Sequence, residues 1–194
     1  MTTDSIRETR RWIETVVIGL NLCPFARRVY DAETIRYVVT EATDTRSLLD
    51  ALTTELQRLV GEPISTVETT ILIHPQVLQN FLDYNDFLSD ADELLETLGL
   101  SGIVQIASFH PEYRFAGTKP DAVENFTNRS PFPMLHLLRE ASVTKVANDP
   151  DFLDGIPERN IGVLQALGRT KLLAMLKNRG CANNTWSPEE EERG

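Results

Sequence analysis

Two of the three histidines of the chain stand in the same local context. Ile73-His74-Pro75 and Phe109-His110-Pro111 each close an apolar, strand-like segment. A proline pushes the residue before it into an extended conformation, so each imidazole is expected at the end of a strand, where the chain turns. Open α/β sheets bind ligands beyond the carboxyl ends of their strands. If the two strands are parallel, His74 and His110 lie at the same edge of the sheet and can serve there as catalytic acid or base groups.

The third histidine is expected on a helix. Ser130-Pro131 has the form of an N-cap and first helical residue, which predicts a short helix reaching about residue 141. His136 and Glu140, four positions apart, would then share one helix face. Three imidazoles and a carboxylate are a donor set that suits zinc or non-haem iron. The resulting hypothesis is a divalent metal, Zn or Fe, held by His74, His110, His136 and Glu140, with His110, His74 and Glu140 also catalytic.

The spacing of these four residues follows no known short metal-binding motif. An alternative reading therefore stays open, in which each histidine simply satisfies the carbonyl group of a strand end or a helix.

Cys23 is a candidate nucleophile in the segment Asn21-Leu22-Cys23-Pro24-Phe25-Ala26-Arg27-Arg28. A helix starting at the proline, together with the nearby arginines, would favour the thiolate. The tetrapeptide Cys-Pro-Phe-Ala resembles the active-site sequence of omega-type glutathione transferases and related glutaredoxins. That resemblance implies a thiol-dependent enzyme using Cys23. There is no second cysteine at the glutaredoxin spacing, so a buried, unreactive Cys23 is the alternative.

The polar stretch from Glu112 to Arg129 is the candidate substrate-binding loop. Arg129 offers a bidentate fork to a carboxylate or phosphate, and free amides of a helix beginning near Ser130 would attract the same groups. We therefore expect a small anionic ligand. The residues expected to bind it are Arg129, Asn128, Tyr113 and Arg114. An ordinary capped helix with an exposed arginine is the alternative.

The elements that must position these groups follow from hydrophobic periodicity and from glycine and proline breaks. Helices are predicted over residues 4–19, 45–59, 76–98, 130–141 and 157–177, and strands over 34–40, 67–73 and 103–109. Strands separated by helices favour at least partly parallel pairing. The expected fold is α/β (or α+β), a small, mostly parallel sheet of three to four strands with packed helices, in a ferredoxin-like or sandwich variant. Residues 1–180 form one domain, and the acidic tail 181–194 is expected to be disordered.

Composition narrows the partners. The chain has 194 residues and a formal net charge of −10, with no cluster of Lys and Arg, which argues against nucleic acid as a partner. No apolar run approaches the ~20 residues that span a bilayer, and the N-terminus lacks the pattern of a signal peptide. Two distant cysteines without a secretory signal indicate reduced thiols and a cytoplasmic location. A small molecule, rather than nucleic acid or membrane, is the expected partner.

Several longer stretches together carry a family resemblance. They are Trp12 to Ala26, His74-Pro75, residues 81–85, 105–111, 115–117, 127–131 and 136–140. They resemble a bacterial family catalogued as domain of unknown function 1415, over about residues 5–168. The resemblance implies no particular activity. The sequence is therefore interpreted as that of a small-molecule enzyme, metal-dependent in one version, or of a non-catalytic ligand-binding or regulatory module.

Overall fold

A computed structural model describes residues 2–146 and 155–177 of the chain. Its helices are α1 (Thr2–Trp12), α2 (Ala26–Asp31), α3 (Thr45–Gly61), α4 (Phe81–Thr97), α5 (Glu140–Val146) and α6 (Ile156–Lys177). Its strands are β1 (Ile35–Val39), β2 (Thr69–Ile73), β3 (Val104–Phe109) and β4 (Met134–Arg139). A π-helical segment, Ile13–Ile18, continues α1, and a 3-10 turn, Val123–Thr127, lies in the long loop before β4.

The four strands form one mixed sheet in the order β1-β2-β4-β3. β1 and β2 are parallel, and β4 runs antiparallel to both of its neighbours. β1, β2 and β3 therefore point in the same direction, although only one of the three pairings is parallel. This confirms the α/β class with a four-stranded sheet, but the predicted mostly parallel pairing is wrong, because β4 enters the sheet antiparallel to both of its neighbours. It also confirms that His74 and His110, which follow β2 and β3, lie at the same edge of the sheet.

Each face of the sheet is covered by its own helices, which makes the molecule a three-layer sandwich. One core contains Leu72 and Leu135 from the strands and residues of α3 and α4 such as Leu52 and Phe87. The other contains Ile71 and residues of α1, the π-helical segment and α6. Successive side chains in a strand point to opposite faces, so Ile71 and Leu72 enter different cores. β2 is buried along its whole length, as expected for a strand covered on both faces.

The helix predicted over residues 130–141 is wrong. Met134–Arg139 is instead a strand, hydrogen-bonded to β2 on one side and to β3 on the other. Leucine and methionine favour helices in isolation, but pairing with two strands at once outweighs a local preference of a few tenths of a kcal/mol per residue. Because the strand ends at Arg139 and Glu140 begins α5, His136 and Glu140 do not share a helix face.

The helix predicted from residue 76 begins at Phe81. Asn80 is its N-cap, and the Asn80 side-chain oxygen accepts hydrogen bonds from the backbone N–H groups of Leu82 (2.8 Å) and Asp83 (3.4 Å). The residues between β2 and α4 form a loop in which Leu78 has a positive φ of 57°. This loop brings the carbonyl groups of Val77 and Leu78 within reach of the two strand-end histidines.

The C-terminal helix agrees with the predicted span, with one interruption. Gly168 has a φ of 73° and a ψ of 155°, which breaks the helical path inside α6. The predicted acidic tail, 181–194, lies outside the described residues. Within residues 2–146 and 155–177, no helix is both long enough and apolar enough to cross a membrane.

Replacing Tyr84 by phenylalanine is expected to destabilise the fold by about 1–3 kcal/mol. The fully buried Tyr84 hydroxyl donates to the Met134 carbonyl oxygen (2.9 Å) and accepts from the Phe109 N–H (3.0 Å), which ties the adjacent ends of β4 and β3 together. Tyr84→Phe removes both of these hydrogen bonds. Urea unfolding measures the loss. Tyr113→Phe is the control, because the Tyr113 hydroxyl makes only a 3.5 Å contact to Ser108. Equal effects of the two variants would contradict the prediction.

Candidate functional site

The two strand-end histidines hold the loop between β2 and α4. His74 Nδ1 lies 3.1 Å from the Val77 carbonyl oxygen, and His110 Nε2 lies 3.2 Å from that of Leu78. Since a carbonyl can only accept, both ring nitrogens donate. His110 Nδ1 in turn accepts from the Glu112 N–H at 3.0 Å. The rings flank Tyr84, at centroid distances of 5.8 Å for His74 and 5.1 Å for His110. These contacts agree with the alternative interpretation of the sequence, in which each histidine hydrogen-bonds to a backbone carbonyl group.

Burial keeps both imidazoles neutral at pH 7. Desolvation is the main cause that lowers the pKa of His74 to about 4, and it also lowers the pKa of His110. Both residues are almost completely shielded from solvent. His74 Nε2 has no hydrogen-bond partner among the described residues. We expect these rings to brace the fold rather than to exchange protons.

The four residues expected to bind a metal do not come together. His136 points from β4 into the core between the sheet and α1, whereas His74 and His110 pack around Tyr84 on the α4 side. Glu140 is the first residue of α5. In the part of the chain that the structure describes, no group of three or more His, Cys, Asp or Glu side chains is placed to hold a metal ion.

The expected anion-binding loop uses its polar groups internally. Arg129 donates from Nε to the Tyr113 carbonyl (3.3 Å) and from Nη2 to the Pro120 carbonyl (2.5 Å), and its guanidinium lies 4.5 Å from the centre of the Phe126 ring. Desolvation is the largest cause that lowers the pKa of Arg129. Because β4 replaces the expected helix, there is no helix N-terminus after Ser130 to add free amides.

The other three expected substrate-binding residues lie on the same loop. Asn128 Nδ2 donates to the Ser108 carbonyl (3.0 Å), which fastens the loop to β3. Tyr113 packs edge-on against Phe81 and Phe115, with ring centroids 5.3 and 5.0 Å away. Arg114 is exposed. Together with Arg129, these contacts mainly give the loop its shape.

Cys23 lies in the wall of a cavity and is partly buried. α2 begins at Ala26, two residues beyond Pro24. Backbone N–H groups of Phe25 and Ala26 approach the sulfur and lower its pKa, but desolvation is the larger effect and the net pKa is raised. The expected thiolate is therefore corrected to a protonated thiol at neutral pH.

That cavity has a volume of about 230 Å³. Its floor is the sheet, where Ile71, His136 and Ala107 stand side by side on three adjacent strands. Its wall contains Trp12 from α1 and Val17 from the π-helical segment. The remaining side chains of the lining are mostly apolar, and Ala26 and Val29 from α2, Leu138 from β4 and Val143 from α5 are examples.

His136 is the polar group at the centre of the floor. Its Nε2 lies 2.6 Å from Thr69 Oγ1, which lies 2.7 Å from the Leu137 carbonyl oxygen. The single hydroxyl proton of Thr69 must go to that carbonyl, so Thr69 accepts the proton of His136 Nε2. His136 is thereby fixed as the Nε2–H tautomer, and Nδ1 carries the lone pair. Desolvation lowers its pKa to about 4, so the ring stays neutral.

An ion pair that is buried only on its carboxylate side lines one end of the cavity. Arg28 donates from Nη1 to Glu68 Oε2 (2.8 Å) and from Nη2 to Glu68 Oε1 (2.5 Å). The Glu68 side chain is only 8% exposed. Arg28 is the main cause that lowers the pKa of Glu68. Since the Arg28 side chain is 50% exposed, this end of the cavity lies close to solvent.

Arg139 lies at the same end of the cavity, and its side chain is hydrogen-bonded to backbone carbonyl groups. Its Nη2 donates to the carbonyl groups of Leu59, Glu62 (2.7 Å) and Val67 (3.1 Å). The Arg139 Nε atom is enclosed and has no partner among the described residues. Arg139 therefore joins the end of α3 to β4.

The backbone of the cavity wall is itself unusual. Ile13–Ile18 is wound as a π-helix, and both Ile13 and Val17 line the cavity. π-helical turns are rare and occur frequently at functional sites, because the extra residue re-aims side chains. This segment strengthens the case that the cavity, rather than the histidine pair at the strand ends, is the candidate site.

The residues that build this site were not among the sequence candidates, apart from His136 and Cys23. Thr69, Glu68 and Arg28 lie far apart in the chain and carry no local motif. One usable signal was the alternation Met134, His136, Leu138 along one face of β4, which places a lone polar residue between two apolar ones.

Comparison with known proteins adds the family and nothing on activity. No curated protein and no solved structure matched the chain. A family model matches residues 4–174, which include all four strands, the π-helical segment and every residue of the cavity lining. The chain belongs to the family described as proteins of unknown function, DUF1415.

Proposed function

We propose that this protein binds a small, mostly apolar molecule in the cavity between the sheet and α1, with His136 as its central polar contact. The observation that carries the proposal is the cavity of about 230 Å³, which has one neutral imidazole in its floor. Binding sites for small molecules are typically concave and largely apolar, with a few placed polar groups. Of the functions considered from the sequence, this corresponds to the ligand-binding module.

The size of the cavity sets the size of the ligand. An apolar cavity of about 150 Å³ accommodates one benzene molecule. The larger cavity here suits a body of roughly two fused rings, or a branched chain of similar bulk. Trp12, Phe25 and Phe109 line it and supply aromatic surface for such a body.

Ala107 provides the sharpest test of this proposal. It lies beside His136 on β3 and lines the cavity, so Ala107→Leu would fill space that the ligand needs. We expect at least a tenfold loss of affinity for apolar bicyclic probes such as indole and naphthalene. The melting temperature should be unchanged or higher, because the added side chain fills a void. Ligand-observed NMR and thermal shift measure the two quantities.

The matched control is Ala116→Leu, the same change at an exposed position. Cys23 offers an independent readout: in a Cys181→Ser background, a bound probe should slow alkylation of the Cys23 thiol. If neither indole nor naphthalene binds the wild-type protein, or if both still bind Ala107→Leu with wild-type affinity, the proposed cavity site is ruled out.

We also propose a cytoplasmic location and a bacterial origin. The first rests on the two widely separated cysteines. The second rests on the family resemblance. Fractionation of cells that produce the full chain would test the location.

A further inference from the structure

Resting on the proposed function, we infer that the ligand is a neutral molecule that donates one hydrogen bond to His136 Nδ1, with a phenol-like O–H or indole-like N–H on an apolar ring system. This differs from the anionic ligand expected from the sequence, and it follows from which groups in the cavity have hydrogen-bonding capacity left.

The hydrogen bonds at the cavity floor have one possible direction. Thr69 gives its proton to the Leu137 carbonyl and receives that of His136 Nε2. His136 Nδ1 has no partner among the described residues, and the ring lines the cavity. A ring held in this tautomer presents an acceptor to whatever occupies the cavity.

Arg28 and Arg139, the cationic groups nearby, already donate to acceptors of the protein. Both terminal nitrogens of Arg28 donate to Glu68, and Nη2 of Arg139 donates to three carbonyl groups. The enclosed Nε of Arg139 is shielded from the cavity. An anion bound against His136 would meet the lone pair of Nδ1 unless the ring were protonated, and burial opposes protonation.

One further polar side chain lies at the rim of the cavity. Gln105 lies on the edge strand β3 and lines the cavity, and its amide can both donate and accept. Gln105 can therefore hydrogen-bond to a second polar group of the ligand, whether that group is a donor or an acceptor. At the cavity floor, the acceptor His136 Nδ1 favours a donor over an acceptor or an anion.

Three probes with the same bicyclic body separate these cases: 2-naphthol, naphthalene and 2-naphthoate. We expect the full-length protein at pH 7 to bind 2-naphthol about tenfold more tightly than naphthalene, the gain of one hydrogen bond to an otherwise unpaired acceptor. The 2-naphthoate anion should bind more weakly than naphthalene. In His136→Leu, which places an apolar side chain of moderate size at this position, 2-naphthol should lose its tenfold advantage over naphthalene.

A second measurement does not depend on the variant. The ¹⁵N shifts of the His136 ring should report the Nε2–H tautomer in the free protein, and the Nδ1 signal should move when 2-naphthol binds but not when naphthalene binds. Tighter binding of 2-naphthoate, equal binding of 2-naphthol and naphthalene, or a 2-naphthol advantage that survives His136→Leu would each overturn the inference while leaving the cavity site intact. Failure of all three probes would overturn the proposed function as well.

Discussion

Acidification from pH 7 to pH 5 should destabilise the protein by about 2 kcal/mol for each of its two most strongly shifted histidines. His74 and His136 have a pKa of about 4 in the folded protein and 6.5 when unfolded. Between these values the unfolded chain binds more protons, so stability is complete above pH 6.5 and is lost as the pH falls toward 4. His110, whose pKa is lowered in the same direction, adds to the loss.

Urea unfolding at pH 7, 6 and 5 measures the effect. Keeping the series at or above pH 5 leaves Glu68 ionised, because its pKa is lowered from 4.5. His136→Gln provides the control: it can still hydrogen-bond to Thr69 but cannot titrate, so its stability should fall by about 2 kcal/mol less than that of the wild type over this range. A wild-type stability that is constant or rises between pH 7 and pH 5 would show that these histidines are not buried as neutral rings.

Replacing Arg139 by methionine should cost about 3 kcal/mol or more. Its guanidinium donates to the carbonyl groups of Leu59, Glu62 and Val67, and hydrogen bonds from a charged donor are each worth about 1.5–3 kcal/mol. Leu59 depends on this contact in particular. Its helical partner four residues later would be Pro63, which has no N–H to give.

The control is Arg7→Met, since the Arg7 side chain is 74% exposed and should lose less than about 0.5 kcal/mol. Arg139→Lys should fall between the two, because a lysine keeps the charge but not the planar fork that reaches several carbonyl groups. Chemical denaturation of the three variants decides the matter. A loss in Arg139→Met no larger than that in Arg7→Met would mean that the end of α3 is held by other contacts.

The sequence predicted helices and strands correctly where the local preference of a segment agrees with its packing in the fold. The β-branched segments around Ile35, Ile71 and Ile106 are strands, and the leucine stripe from Leu48 to Leu59 is a buried helix face. The breaker Gly61-Glu62-Pro63 ends that helix within two residues of the predicted position. The placement of His74 and His110 at one sheet edge follows from the same regularities.

Prediction from the sequence failed where contacts with residues far away in the chain determine the local structure. Met134 to Arg139 is rich in helix-forming residues, and only the presence of β2 and β3 on either side makes it a strand. The metal hypothesis depended on that helix, because it required His136 and Glu140 on one face. The cavity could not be anticipated at all, since its polar groups Arg28, Thr69 and His136 meet only after the sheet is assembled.

The position of β4 also fixes the order in which the chain can be built into its sheet. β4 is the last of the described strands to be synthesised, yet it occupies the gap between β2 and β3, and β3 has no other neighbour in the described sheet. Until residue 139 has left the ribosome, β1–β2 is the only strand pair of this sheet that can form, packed against α3. Both edges of β3 stay unpaired until then. The floor of the cavity, including His136, is completed only by that final insertion. A nascent chain shorter than this can have neither the full sheet nor the binding site.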